Sequence, residues 1–127
     1  MDNIKDFTDL KAWQLAHRVR LEVYEFIKLL PPEEKYNRID QLRRSSSLMA
    51  SNIAEGFGRY HYQENIQFCR QARGSLEETR DNIIAARDLK QIPQEKCEEL
   101  LELLLETRKV LNGYIRFLQK QKTNNSS

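Results

Sequence analysis

The sequence predicts an all-α protein, an antiparallel up-down-up-down four-helix bundle, and three features carry that expectation. Only 4 glycines and 3 prolines interrupt 127 residues, too few breakers for a chain built from many loops. Apolar residues recur at alternating steps of three and four through four long segments, the period of a helix with a buried face. Nowhere does the chain show the strict alternation of a half-buried strand. A chain of this length makes one domain around one core.

The first helix is expected over about residues 9–30, with Thr8 or Asp6 as N-cap and Pro31-Pro32 as its stop. Ala12, Ala16, Val19, Val23, Phe26 and Leu30 form one apolar stripe. Leu10, Trp13, His17, Leu21, Tyr24 and Ile27 form a second, which leaves only the arc of Lys11, Gln14, Arg18, Glu22 and Glu25 clearly polar. One bundle core uses a single stripe. The surplus is expected to face another copy of the chain, with Trp13 and Leu21 as candidate interface residues.

The second helix is expected over about 33–53, opened by Pro32. Its inner face reads Tyr36, Ile39, Leu42, Ser46, Met49 and Ile53. Ser45-Ser46-Ser47 is a weak helix former whose small side chains permit close approach or a bend. Gly56 and Gly58 then stop the helix, and Phe57 to Tyr60 make the turn. The third helix follows over about 62–90, with Tyr62, Asn65, Cys69, Ala72, Leu76, Thr79, Ile83 and Ala86 inward. Gln91-Ile92-Pro93 connects to the fourth, about 94–119, where Leu100, Leu104, Thr107, Leu111, Tyr114 and Leu118 keep the heptad. Leu103, Val110 and Phe117 flank it. Residues 121–127 have nothing to bury and are expected to be disordered. Connections this short make neighbouring helices antiparallel.

Composition excludes several classes of function. Charged residues make up 31% and hydrophobic ones 39%, and no apolar run approaches the length of a membrane span. The opening, MDNIKDFTDL, lacks the layout of a signal peptide. Both favour the cytoplasm. Cys69 and Cys97 sit inside helical patterns, without a C-x-x-C pair, and read as packing residues. A di-iron bundle needs Glu-x-x-His pairs, but Gln14 precedes His17 by three and Gly58 precedes His61 by three. His61 with Glu64 is one ligand pair, too few for a metal site. Ser45 to Ser47 lack a histidine base and a glycine elbow, and Gly56-x-Gly58 follows no strand. Glu98, Glu99, Glu102 and Glu106 read as a solvated face. No enzyme, metal or cofactor is expected.

Charge placement is more informative than the formal net charge of +2. Arg38, Arg43, Arg44, Arg59, Arg70 and Arg73 stand against Asp40, Glu55 and Glu64 between residues 38 and 73. Arginine's planar fork suits phosphate, and Tyr60, His61 and Tyr62 could stack on unpaired bases. Arg43, Arg44, Arg59, Arg70 and Arg73 are therefore the candidate contacts to RNA or DNA. The alternative is ordinary surface pairing, as for Arg73, Glu77 and Arg80 on one helix face. Asn52, Glu55 and Gly56 admit two readings as well. In the preferred one Gly56 reverses the chain while Asn52 and Glu55 tie up backbone groups near the helix end; in the other they form a partner-binding corner.

The run from Gln41 to Arg59, QLRRSSSLMASNIAEGFGR, resembles the signature of the four-helix bundle family first noted as proteins encoded by intervening sequences of bacterial 23S rRNA genes. Gln-x-Arg-Arg stands at Gln41 to Arg44, and Asn-Ile-Ala-Glu-Gly-x-Gly-Arg at Asn52 to Arg59. Ala72 to Glu78 is similar to that family's Gly-Ser-x-x-Glu motif. The opening, with Phe7, Leu10, Trp13, Ala16 and Val23-Tyr24, matches too, so the resemblance runs from about Phe7 to Leu118. Ser45 to Met49 departs from the family's commoner Ala-Ala-x-Ser-Ile, with side-chain size conserved. The resemblance implies a ring-like homo-oligomer of five chains without established enzymatic activity. A structurally similar branch serves diversity-generating retroelements as an accessory protein that binds a reverse transcriptase and nucleic acid. An oligomeric, non-catalytic scaffold that binds nucleic acid is thus the leading expectation, and a protein–protein adaptor the alternative.

Overall fold

The computed structural model describes residues 3–125. It contains four long helices, α1 (Lys11–Phe26), α2 (Arg38–Phe57), α3 (Tyr62–Asp88) and α4 (Gln94–Asn125). Short 3-10 turns cover Phe7–Asp9, Ile27–Leu29 and Pro32–Glu34, and no strand occurs among the described residues. The first stripe of α1, from Ala12 through Leu30, is buried throughout, and so is the α3 stripe from Asn65 to Ala86. Leu100, Leu104, Thr107, Leu111, Tyr114 and Leu118 of α4 close the core. Each such leucine contributes about 1.5–3 kcal/mol relative to exposure.

The α2–α3 pairing is the most extensive, and α1 packs on both α2 and α4. Arg38 reaches Asn82, Ser45 reaches Thr79, and Gly56 abuts Asn65. Residue numbers thus fall along α3 as they rise along α2. Between α3 and α4, Asn65 meets Tyr114, Arg73 meets Asn112, Glu77 meets Arg108 and Arg87 meets Glu98, again in opposite numerical order.

Several sequence expectations need correction. Asp6 does act as a cap, but of the separate turn Phe7–Asp9, in a reciprocal box with Asp9; α1 starts only after Leu10. The surplus stripe of the first helix is partly consumed at home, since Leu10 and Ile27 are buried in the chain's own core. The second helix begins at Arg38, not near 33, and Tyr36 is 86% exposed rather than inward. Pro32–Glu34 close a turn of their own, and Asn37 (φ −127°, ψ −98°) breaks the helical backbone behind it. Arg38 then holds the new start, paired with Glu34 at 3.1 Å and bonded to Asn82 and Gln91.

Neither Ile53 nor Gly56 ends α2, which continues to Phe57. Gly56 is buried inside the helix rather than reversing the chain. A Cβ there would lie 2.7 Å from Asn65 Oδ1 and 2.9 Å from Phe68 Cβ. The glycine is needed because α3 passes so close. At the far end of α3, Lys90 takes the left-handed conformation (φ 60°) that usually falls to glycine. The amide of Gln91 then donates to Ala86 O and that of Lys90 to Arg87 O. Finally, α4 runs to Asn125, so residues 121–125 of the tail are helical instead of disordered. Lys122 donates to Gln63 of α3, and Thr123 Oγ1 donates to Gln119 O; no breaker residue intervenes. Positions 126 and 127 lie outside the described residues.

Candidate nucleic-acid interface

The five candidate arginines do not converge on one patch. Arg44 spans α2 and α3 to Glu78 at 3.0 Å, whereas Arg73 turns toward α4 and donates to Asn112 Oδ1 at 2.9 Å. Arg59 pairs with Glu55 at 3.3 Å, and its guanidinium sits 4.7 Å from the centre of the Phe68 ring. Arg43 and Arg70 are exposed, and neither enters an ion pair among the described residues. Arg43 and Arg44 diverge by about 100° around α2. Helix azimuth, which residue spacing within separate segments does not fix, scatters the group.

At the α2–α3 corner the assigned residues take different parts. Asn52 is buried and Glu55 exposed. Glu55 spends its carboxylate on Arg59 rather than on a backbone amide. Gly58 to His61 carry the chain round, leaving Tyr60 92% exposed and set edge-on to His61. Beside this turn lies a cleft of about 270 Å³, lined among others by Phe57, Arg59, Tyr60, Tyr62, Asn65, Tyr114 and Phe117. Of its polar residues, Asn65 and Tyr114 are buried, while Arg59, Tyr60 and His61 are exposed at its rim. Asn65 Nδ2 donates to the Tyr114 hydroxyl at 3.1 Å, and Asn65 Oδ1 accepts from the Cys69 thiol. Burial pushes the Tyr114 phenol and the Cys69 thiol each up to about 12, so both stay protonated near neutrality. Phe117 stacks on Tyr114 with rings 13° from parallel.

Sequence reasoning found the turn's aromatic residues but missed the wall contributed by α4. One signal was available. No acidic residue follows Glu106, whereas Arg108, Lys109, Arg116, Lys120 and Lys122 do. Cations in the last turns complement the helix dipole, which is reason enough for some of them. The fold, however, brings this basic half against the aromatic corner. Phe117 lines the cleft and also a shallow depression that includes Arg116 and Lys120.

The candidate self-association residues part company. Leu21 remains 56% exposed. Trp13 is half-buried, edge-on to Phe7 and stacked on His17 at 4.8 Å. A groove of about 330 Å³ between the end of α1 and the start of α4 is lined by Leu21, Phe26, Leu29 and Leu100, with Glu22, Glu25, Lys96 and Glu99 around it. Both cysteines are free and buried. Among the described residues no cluster of three or more His, Cys, Asp or Glu side chains is placed to hold a metal. No helix there is long and apolar enough to cross a membrane.

Comparison with known proteins places this geometry. No curated protein matches the chain. Among solved structures, a protein with unknown function from the S23 ribosomal protein family of Bacteroides thetaiotaomicron, determined at 1.70 Å resolution, superposes with a TM-score of 0.76. It is 20% identical, and the match covers 82% of this chain and 97% of that one. At that identity the likeness shows the fold. The profile of the family described as "23S rRNA-intervening sequence protein" matches residues 8–113, a span that contains α1 to α3, the corner and the first part of α4. The chain therefore belongs to the 23S rRNA-intervening sequence protein family.

Proposed function

We propose that this protein is a non-enzymatic, cytoplasmic scaffold that binds RNA or DNA as a ring-like homo-oligomer of five up-down-up-down bundles. The observation that carries the nucleic-acid reading is the meeting of α4's acid-free basic half with the aromatic corner at Tyr60 to Tyr62. Cations there supply attraction to phosphate, and exposed rings supply faces on which bases stack. The arginine set sharpens accordingly. Arg59 belongs to this end, its exposed pair with Glu55 open to exchange for phosphate, and is joined by Arg116 and Lys120, while Arg73 turns away toward Asn112 of α4. Self-assembly rests on Leu21, whose exposure leaves apolar surface to cover.

Binding to structured RNA and to duplex DNA across a salt series tests the reading. Affinity should fall with salt at a logarithmic slope of about 0.7–0.9 per phosphate contacted. Arg59→Ala/Arg116→Ala should weaken binding to all sequences alike and flatten the slope, with the oligomer intact by light scattering. Absence of binding to either polymer at low salt defeats it. A mass near one chain at all accessible concentrations defeats the ring.

The α1–α4 groove favours a second reading, a protein–protein adaptor that docks a reverse transcriptase or another nucleic-acid enzyme. Its apolar lining with a largely acidic surround suits a partner helix with an apolar stripe and basic flanks. Failure of the salt titration would bring this reading forward.

A further inference from the structure

We infer that the corner cleft is a slot for a single unpaired nucleobase. The inference rests on the nucleic-acid reading above and names what this end of the bundle would recognise beyond phosphate. Three observations carry it.

The first is size. At about 270 Å³ the cleft lies just below the range of sites that enclose whole drug-sized ligands. A planar ring system fits, and a folded nucleic-acid element does not. The second is the lining. Tyr60, Tyr62, Phe57 and Phe117 give aromatic surface from α2, the turn, α3 and α4, and every base has a π-face that stacks on such surface. Arg59 stands in the same lining, where a base's own phosphate would need a cation.

The third is the pair of polar groups. Asn65 and Tyr114 are 7% and 5% exposed, yet both line the cleft. The Tyr114 oxygen takes its hydrogen bond from Asn65, which leaves the phenolic proton to donate. Asn65 uses one amide hydrogen on Tyr114 and keeps a second. The phenol pushed up to about 12 remains a donor across the physiological range. A slot with stacking walls and hydrogen-bond donors suits a base edge that carries carbonyl acceptors, as uracil and thymine do. An aliphatic side chain would leave those donors unused. A double helix cannot offer such an edge without extruding the base, so the slot selects single strands, loops or ends.

The test compares a short oligothymidylate with an abasic strand of the same length and phosphate count, by fluorescence anisotropy at low salt. The oligothymidylate should bind about tenfold more tightly, the effect of one stacked base. Tyr60→Ala should remove that difference while leaving the abasic strand's affinity unchanged, and Tyr60→Phe should keep it. Tyr36→Ala removes an equally exposed tyrosine from the Pro32–Arg38 linker and should have no effect. Neither exposed tyrosine supports the core, so circular dichroism should be the same for all variants. Equal binding of the two strands by wild type overturns the slot while leaving phosphate recognition standing. Binding of neither overturns the slot together with the nucleic-acid reading.

Discussion

The α2–α3 seam and the α1–α4 seam solve the same packing problem in opposite ways. Along α2–α3 the chain places small and polar groups: Ser45 against Thr79 at 2.7 Å, and Gly56 against Asn65 and Phe68 with no room for a methyl. Along α1–α4 it places large side chains, and Leu21, Phe26, Leu29 and Leu100 still leave a groove between them. Close approach is achieved by removing atoms, not by adding apolar ones. The tight seam has hydroxyls to satisfy, and the relay from Ser45 to Thr79 to Ser75 O satisfies them internally. The loose one has apolar surface left to cover.

The largest difference between the seams should be in alkali. Cys69 and Tyr114, both bonded to the Asn65 that packs on Gly56 of the tight seam, are held neutral by burial, their pKa values raised from 9.0 and 10.0 to about 12. Their contribution is fully present below pH 9 and is lost as pH rises toward 12, because unfolding releases the protons sooner. Thermal unfolding followed across that window should show a loss of a few kcal/mol. Cys69→Ala should reduce that loss, leaving the Tyr114 phenol and the Cys97 thiol, which burial also pushes up, to carry the remainder.

Next in size is a pair of glycine substitutions, one at the buried Gly56 and one at the exposed Gly74. Gly56→Ala adds a methyl where backbone and Phe68 Cβ must move, and should cost about 1–3 kcal/mol in denaturant titration. Gly74→Ala on α3 meets nothing within 4 Å and should stabilise by about 0.5–1 kcal/mol through helix propensity. The same substitution with opposite signs would establish that proximity to α3, rather than backbone freedom, holds Gly56 in place.

Thr79→Val probes the hydroxyl pair. Thr79 Oγ1 already donates to Ser75 O at 2.9 Å, so Ser45 must be the donor to Thr79. Valine leaves that proton without its acceptor, at about 1 kcal/mol because Ser45 can turn back to its own helix. The smallest effect belongs to the loose seam. Leu29→Phe adds bulk into the groove and should leave stability within about 0.5 kcal/mol, while changing oligomer mass or partner binding if the groove is occupied.

The helices were legible wherever a long stripe ran uninterrupted. Every inward residue expected from Asn65 to Ala86 is buried, since a periodic face over many turns has one consistent solution. The start of α2 was not legible. Pro31-Pro32-Glu33-Glu34 carries the marks of a helix N-terminus, and the turn it makes instead depends on Arg38 finding Glu34, Asn82 and Gln91. The site divides the same way. Arg59 and Tyr60 to Tyr62 are adjacent in sequence and were seen. Asn65 and Tyr114 meet across two helices, and nothing in the period of either announces the meeting. The tail was misread because polarity alone was weighed, while α4 had no residue to stop it.

The charge division within α4 has a consequence for assembly. In the proposed ring, with α4 running along the rotation axis, equivalent ends would lie at one height, so cations would gather at one rim and carboxylates at the other. Added salt would relieve the repulsion within each rim, over a Debye length of about 10 Å at 0.1 M. Salt would then tighten the proposed ring while it loosens the proposed hold on nucleic acid, so a single salt series followed by light scattering and by anisotropy should move the two readings in opposite directions.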